Sequence, residues 1–372
     1  MNLINKAKAL NARLHPSHLY YDPSWLVLGV NNICNLHCKM CDVGVDYNKS
    51  NFFQNLMGSR PLNMPEDLIF NIMDQVAADF PSTRIGYAFT EPLIYPHLES
   101  SLAYANRKGI FTSITTNALN LKRFGDVILE NNVNELNVSL DGPPDVHNFI
   151  RGHKSSFQKA LEGINYLLEH EQRPEISVYC VVTEWNIGYL NDFLDYFENI
   201  PLKQLGFLHT NFTRSDIAET HNVTYGGRYQ ATPSNMEEIS IAAMDLDSLW
   251  QEMQIVKKRT MPFPISFSPD LDVREKLDIF YHHPEIFLGS RCNDVFNNLM
   301  IKSNGDVIPA HGRCYNVKVG NIHESDLKQI WNDKVLIQFR TDLASAGGLL
   351  PACSRCCSGF GGRPSKVVTS AS

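Results

Sequence analysis

The chain has 372 residues, 43% hydrophobic and 20% charged, the balance of an ordinary globular protein with room for one large domain and a smaller one. Thirty-three Lys and Arg against 40 Asp and Glu give a net charge of -7, which argues against a nucleic acid held on a basic surface. No apolar run is long enough to span a bilayer, so no membrane partner is expected. The nine cysteines are an odd number and do not read as a secreted disulfide scaffold. All but Cys180 fall into two groups near the ends, the pattern of metal or cluster ligation in a reduced, cytoplasmic protein.

Residues 1–24 are expected to form an N-terminal helical extension. Lys6, Lys8 and Arg13 without an acid are compatible with a transit peptide, but a short amphipathic helix is the simpler reading. From Trp25 the chain alternates β-rich runs with helical stripes. Strands are expected on 25–30, 84–89, 110–116, 135–140, 176–183 and 204–209. Helices are expected where Leu68, Ile69, Ile72, Met73 and Val76 recur, on 97–106 and 121–130, along Phe157, Leu161, Ile164 and Leu168, and on 186–198. About six β–α units over 25–210 predict an α/β fold, a partial (β/α)6 TIM-like barrel with its site at the C-terminal strand ends. Residues 211–287 read as an irregular connecting segment, with a polar loop Tyr225-Gly-Gly-Arg-Tyr229, a helical pattern near 236–257 and a Pro-rich break at 262–269. Residues 288–358 read as a small cysteine-rich domain, and 359–372 as a disordered Gly- and Ser-rich tail.

Cys34-Asn-Leu-His-Cys38-Lys-Met-Cys41 follows the first strand directly. Three thiolates within eight residues can wrap one corner of a cubane cluster, and three protein ligands leave one position open, as in catalytic metal sites. Zinc completed by His37 is the competing reading. Cys180, in mid-strand, reads as a small core residue.

The C-x3-C-x2-C spacing after strand one of a βα repeat resembles the radical S-adenosylmethionine (SAM) superfamily. The resemblance implies that Cys34, Cys38 and Cys41 bind a [4Fe–4S] cluster. Its open iron would chelate SAM, and one electron would cleave SAM to a 5′-deoxyadenosyl radical that takes a hydrogen atom from a substrate. Met40 stands where the family usually has an aromatic residue near the adenine. Phe89-Thr-Glu-Pro92 resembles the family's Gly-Gly-Glu-Pro segment, of which Glu91 and Pro92 carry over, toward the methionine amino group. Thr115-Thr-Asn117 ends the third strand, so Thr116 and Asn117 join the expected SAM contacts. Ser139-Leu-Asp-Gly142, His147 and Arg151-Gly152 are similar to an S-x-D-G-x4-H-x3-R-G stretch, which would place Ser139 and Asp141 near the ribose and methionine and Arg151 near the carboxylate. Asp141 also suits a turn, and Asn186 suits either an adenosine contact or a helix cap.

The second group is Cys292, Cys314, Cys353, Cys356 and Cys357. Asn304-Gly-Asp306 reads as a hairpin turn, and Val319-Gly-Asn-Ile322 with Leu327–Trp331 as a strand end and a short helix. With Ile330-Trp331-Asn332, this region resembles the SPASM/twitch domain. Ala310 stands where the longer pattern has a cysteine, so the resemblance implies the shorter twitch form. Its one auxiliary [4Fe–4S] cluster would lie on Cys292, Cys314, Cys353 and Cys356. Zinc in this group is the competing reading. Cys357 is left over, as a substitute ligand or as the catalytic thiol of a radical epimerase.

A fully ligated auxiliary cluster suggests an electron relay, hence a two-electron oxidation, dehydrogenation or bond formation, of a small molecule. Epimerisation and peptide maturation are the alternatives; only about 24 residues precede the first strand, which disfavours a peptide-binding N-terminal domain. A non-catalytic iron–sulfur carrier is the alternative of another class. An electron donor of flavodoxin or ferredoxin type is expected as partner. Substrate contacts are expected from 207–230, chiefly His209, Thr210, Asn211 and Arg214, with His221 and Tyr225 nearby.

Overall fold

The computed structural model describes residues 3–309 and 311–360, so the expected disordered tail lies, from residue 361, outside the described residues. The first six strands are β1 (Trp25–Leu28), β2 (Arg84–Tyr87), β3 (Thr112–Thr116), β4 (Glu135–Ser139), β5 (Glu175–Val182) and β6 (Gln204–His209). They pair in sequence order, every pair parallel, with Trp25 opposite Arg84, Glu135 opposite Glu175 and Val182 opposite His209. Sequential parallel neighbours joined by right-handed crossovers keep all connecting helices on one side of a curved sheet. Those helices bury one stripe each, such as Leu68, Ile69, Ile72, Met73 and Val76 on Glu66–Asp79. All strand carboxyl ends consequently open on the same rim.

The segment 211–287 is more regular than expected. It holds helices Ser215–Tyr225, Leu246–Lys258 and Arg274–His282, and a seventh parallel strand, β7 (Ile265–Ser268), on the outer edge of β6. β7 hides in the sequence because the Pro-rich break overlaps it. The helical pattern from 236 starts only at Leu246, where Asp245 accepts the N–H groups of Asp247 and Ser248 as a cap.

The C-terminal cysteine-rich part is joined to the barrel rather than set apart. β8 (Asn298–Ile301) pairs parallel with β1, and β9 (Asp306–Ile308) and β10 (Gly320–Asn321) continue antiparallel. One ten-stranded sheet results. The Asn304-Gly-Asp306 turn forms as expected, with Gly305 at φ +81°, a conformation that favours glycine. The N-terminal helix Leu3–Leu14 leads into a segment tied to this part, where Asn332 Oδ1 accepts the Leu19 N–H at 3.0 Å and the Trp331 indole donates to Tyr21 O at 2.7 Å.

Candidate functional site

The first cysteine loop leaves β1 at the rim and folds back on itself. The Cys41 N–H donates to Cys38 O at 3.1 Å, and the Lys39 N–H to Ile150 O at 2.9 Å. A Cβ at Gly44 would lie 2.3 Å from Cys38 O, so only glycine allows this closure. Cys38 is buried, and burial pushes its thiol up to about 12, with Arg151 acting in the opposite sense. Burial raises Cys34 and Cys41 as well. Three thiols, Cys38 buried and Cys34 and Cys41 half-buried, that resist ionisation on their own fit a cationic metal centre that would take them as thiolates.

The strand ends supply a shell of polar groups. Glu91 is buried after β2, where its carboxylate accepts from the Leu93 N–H (3.0 Å), the Thr116 hydroxyl (2.6 Å) and the Asn117 N–H (2.8 Å). Burial raises its pKa, and these donors offset part of that. It thereby fastens the end of β2 to the end of β3. Pro92 opens the short 3-10 turn that Glu91 caps, and Asn117 reaches the cysteine loop through Asn35 Oδ1 at 2.8 Å. Phe89 has φ +86° at the position of the first family glycine, so the substitution has left a glycine-like backbone in place.

Asp141, after β4, is fully buried. Its carboxylate accepts from Arg151 Nε and from the Val181 N–H at 3.0 Å, and its own N–H donates to His147 Nδ1 at 3.0 Å. His147 and Arg151 are one turn apart on helix Pro144–Arg151, which explains the spacing between them in the sequence. Burial alone would lower Arg151, but Asp141 and Cys38 hold its guanidinium above the usual range. Arg151 Nη1 lies 3.6 Å from Cys38 Sγ, so this arginine faces the cysteine loop as well as its carboxylate partner. Asn186 is a brace: its side chain accepts the Thr183 N–H (2.8 Å) and donates to Val181 O (2.7 Å) and Asp141 O (3.0 Å). That turn shortens the helix expected on 186–198 to Leu190–Asp195. Ser139 closes β4, and Met40 is buried beside Cys41.

The second cysteine group lies across the rim. Cys292, Cys314, Cys353 and Cys356 line one cavity, shared with Asn51, Asn211, Ser234 and Arg313. Burial raises the Cys292, Cys314 and Cys353 thiols, and neighbouring cysteines of the group raise the first two further. Four thiols on one cavity fit a closed cluster. Cys357 is exposed and lies outside that lining, next to His311 and Cys356.

Two family models match the chain, the radical SAM superfamily over residues 29–197 and an iron–sulfur cluster-binding domain (SPASM) over 292–357, together more than half of its length. The chain belongs to the radical SAM superfamily. Its cofactors are SAM and iron–sulfur clusters.

This radical SAM protein is 28% identical over 195 residues to the serine-type anaerobic sulfatase-maturating enzyme of Bacteroides thetaiotaomicron, covering 49% of the chain and 45% of the relative. It is 30% identical over 186 residues to the human molybdenum cofactor biosynthesis protein 1, covering 48% of the chain and 27% of the relative. The chain thus spans less than half the length of either. Among solved structures, Streptococcus suis SuiB bound to precursor peptide SuiA superposes with TM-score 0.61 at 18% identity, over 91% of this chain and 71% of that one. The enzyme anSMEcpe with AdoMet and Cp18Cys peptide gives 0.58 at 17%, over 91% and 87%. These likenesses share the fold.

The expected substrate residues separate. Asn211 lines the cavity with Phe212 and Thr213. His209 is buried against the Tyr281 hydroxyl at 2.8 Å, the Thr210 hydroxyl donates to Val182 O, and Arg214 forks onto Asp216 while donating to His282 O. Those three are engaged in holding the fold. His221 is buried, and its Nε2 donates to Tyr229 O, 2.6 Å away. Cys180 is a core residue of β5, as expected.

Sequence reasoning passed over Asp42, Ser234 and Arg313. Asp42 is fully buried beside Cys41 and accepts from the Ser234 hydroxyl and the Asn235 N–H, both at 2.7 Å. Arg313 Nη1 donates to Ser234 Oγ at 2.9 Å. This chain of bonds links the residue after Cys41 to the residue before Cys314. Its only sequence signal is that Asp42 and Arg313 each adjoin a grouped cysteine.

Proposed function

We propose that this radical SAM protein oxidises a C–H bond of a substrate held beside the cavity that its second cysteine group lines. The observation that carries the reading is that Cys292, Cys314, Cys353 and Cys356 share that cavity with Asn211, Ser234 and Arg313, which lead back to the first cysteine loop. In this reading Cys34, Cys38 and Cys41 hold the first [4Fe–4S] cluster, and the four C-terminal cysteines hold one auxiliary [4Fe–4S] cluster. When bound, the first cluster with SAM supplies a hydrogen-abstracting radical and the second supplies a one-electron acceptor. Arg151 and Asp141 fix the strand-end wall beside Cys38. Glu91, Thr116 and Asn117 fix the opposite wall, with Met40, Pro92, Ser139 and Asn186 completing the SAM surroundings.

Asn51, Asn211, Ser234 and Arg313 give the edge of this otherwise largely apolar cavity the amide, hydroxyl and guanidinium groups that would meet a small polar molecule. A peptide side chain is the second reading, favoured by the fold neighbours whose structures hold peptides. Cys357, exposed outside the cavity, is poorly placed for the hydrogen donor of an epimerase. The test is anaerobic reconstitution followed by dithionite and SAM. About eight irons per chain and formation of 5′-deoxyadenosine are expected. About eight irons without SAM cleavage, across candidate substrates of both classes, would sink the enzyme reading in favour of a carrier.

A further inference from the structure

Two side chains around the second cysteine group have no part in the reading above. His311 Nδ1 accepts the Arg313 N–H at 3.1 Å, so the proton of the neutral ring sits on Nε2. Nε2 lies 3.2 Å from Cys356 Sγ and 3.0 Å from Ser358 Oγ. The Ser358 hydroxyl donates to Asp294 Oδ2, so Ser358 presents a lone pair to the ring and the imidazole is the donor in this cluster of groups. On the facing side the Tyr315 hydroxyl lies 3.2 Å from Cys353 Sγ. Tyr315 is buried and clamped, stacked on His221 at 4.9 Å with Phe339 at its edge. A clamped ring aims its hydroxyl at one place.

We infer that His311 and Tyr315 donate hydrogen bonds to the Cys356 and Cys353 sulfurs and set the auxiliary cluster at a higher reduction potential than those sulfurs alone would give it. The inference rests on the auxiliary cluster of the preceding section. The physics is that a donor pointed at a thiolate sulfur stabilises the more electron-rich, reduced state, and hydrogen bonding to sulfur is one of the levers that set such potentials. The sign suits the proposed chemistry. A substrate that has given up a hydrogen atom must still lose one electron and a proton to reach a closed-shell product, and a higher-potential acceptor takes that electron more readily. Both donors flank Cys314 in sequence, His311 before it and Tyr315 directly after it, so one short loop carries a ligand and both tuning groups.

The test uses the full chain with Cys34, Cys38 and Cys41 changed to Ala, reconstituted anaerobically so that the C-terminal centre is read alone. Redox titration followed by electron paramagnetic resonance is run on this background and on it with Tyr315→Phe, His311→Leu or His311→Gln added. Tyr315→Phe and His311→Leu are expected to shift the midpoint to lower potential at unchanged iron content. His311→Gln, which keeps an N–H donor, is expected to recover part of the shift. Unchanged midpoints in both Tyr315→Phe and His311→Leu, with the cluster still loaded, overturn the inference alone. A background protein that binds no cluster overturns the inference and the two-cluster reading together.

Discussion

Changing Arg151 to Met tests the strand-end wall most directly. The substitution keeps an apolar stem of similar reach and removes the guanidinium, leaving Asp141 fully buried with its Val181 N–H contact and no cation. Two opposite charges about 4 Å apart attract by about 4 kcal/mol at an effective dielectric near 20. Breaking a buried pair by removing one partner typically costs about 3–5 kcal/mol, because the remaining charge is uncompensated. Urea unfolding of the metal-free chain should show a loss of that order in Arg151→Met. Asp141→Asn made first should reduce it, leaving about 1–3 kcal/mol of non-additivity in the double-mutant cycle. The cluster signal should also weaken, since Cys38 loses the guanidinium 3.6 Å from its sulfur. A cost below about 1 kcal/mol, or single costs that add to within about 0.5 kcal/mol, would refute the coupling argued here.

Serine at Cys34, Cys38 and Cys41 is expected to remove about four irons and all SAM cleavage, whereas serine at Cys353 and Cys356 should remove about four irons and spare 5′-deoxyadenosine formation; equal iron loss in all variants with neither activity affected would contradict the division. Gly44→Ala should abolish loading of the first centre, read by iron content, because its Cβ would sit 2.3 Å from Cys38 O; full loading would show that the loop closes differently. Asn186→Ala removes three hydrogen bonds, two of them buried and one part-buried, and should cost about 3 kcal/mol at about 1 kcal/mol each, measured by urea unfolding, with a cost under about 1 kcal/mol counting against the brace. Burial, assisted by Lys257, lowers His209 to about 3, so the folded chain keeps it neutral while the unfolded chain protonates it below its ordinary value of 6.5. The unfolded state then binds more protons between those values, and stability should fall as pH drops through that window, by up to about 1.4 kcal/mol per unit. His209→Asn should flatten this slope between pH 6.5 and 5, and an unchanged slope would remove His209 as its source.

The sequence alone determined whatever is local. The spacing of Cys34, Cys38 and Cys41 confines them to one loop, and apolar periodicity sets six of the eight strands that pair in parallel. A single helical turn joins His147 to Arg151. Tertiary structure decided the rest. It moved β7 out of an apparently irregular segment, where proline neighbours masked a four-residue strand. It paired β8 with β1 across more than 270 residues, and so joined two regions that read as separate domains. It brought Cys292 and Cys314 to the same cavity as Cys353 and Cys356, and laid Ser234 between Asp42 and Arg313. It also turned Thr210 and Arg214 away from the cavity that Asn211 lines. The physical reason is that spacing constrains only residues held within one turn or one loop. Closing a longer loop costs an entropy that rises only slowly with its length, so which distant residues meet is settled by how buried faces pack, and no short stretch of sequence records that.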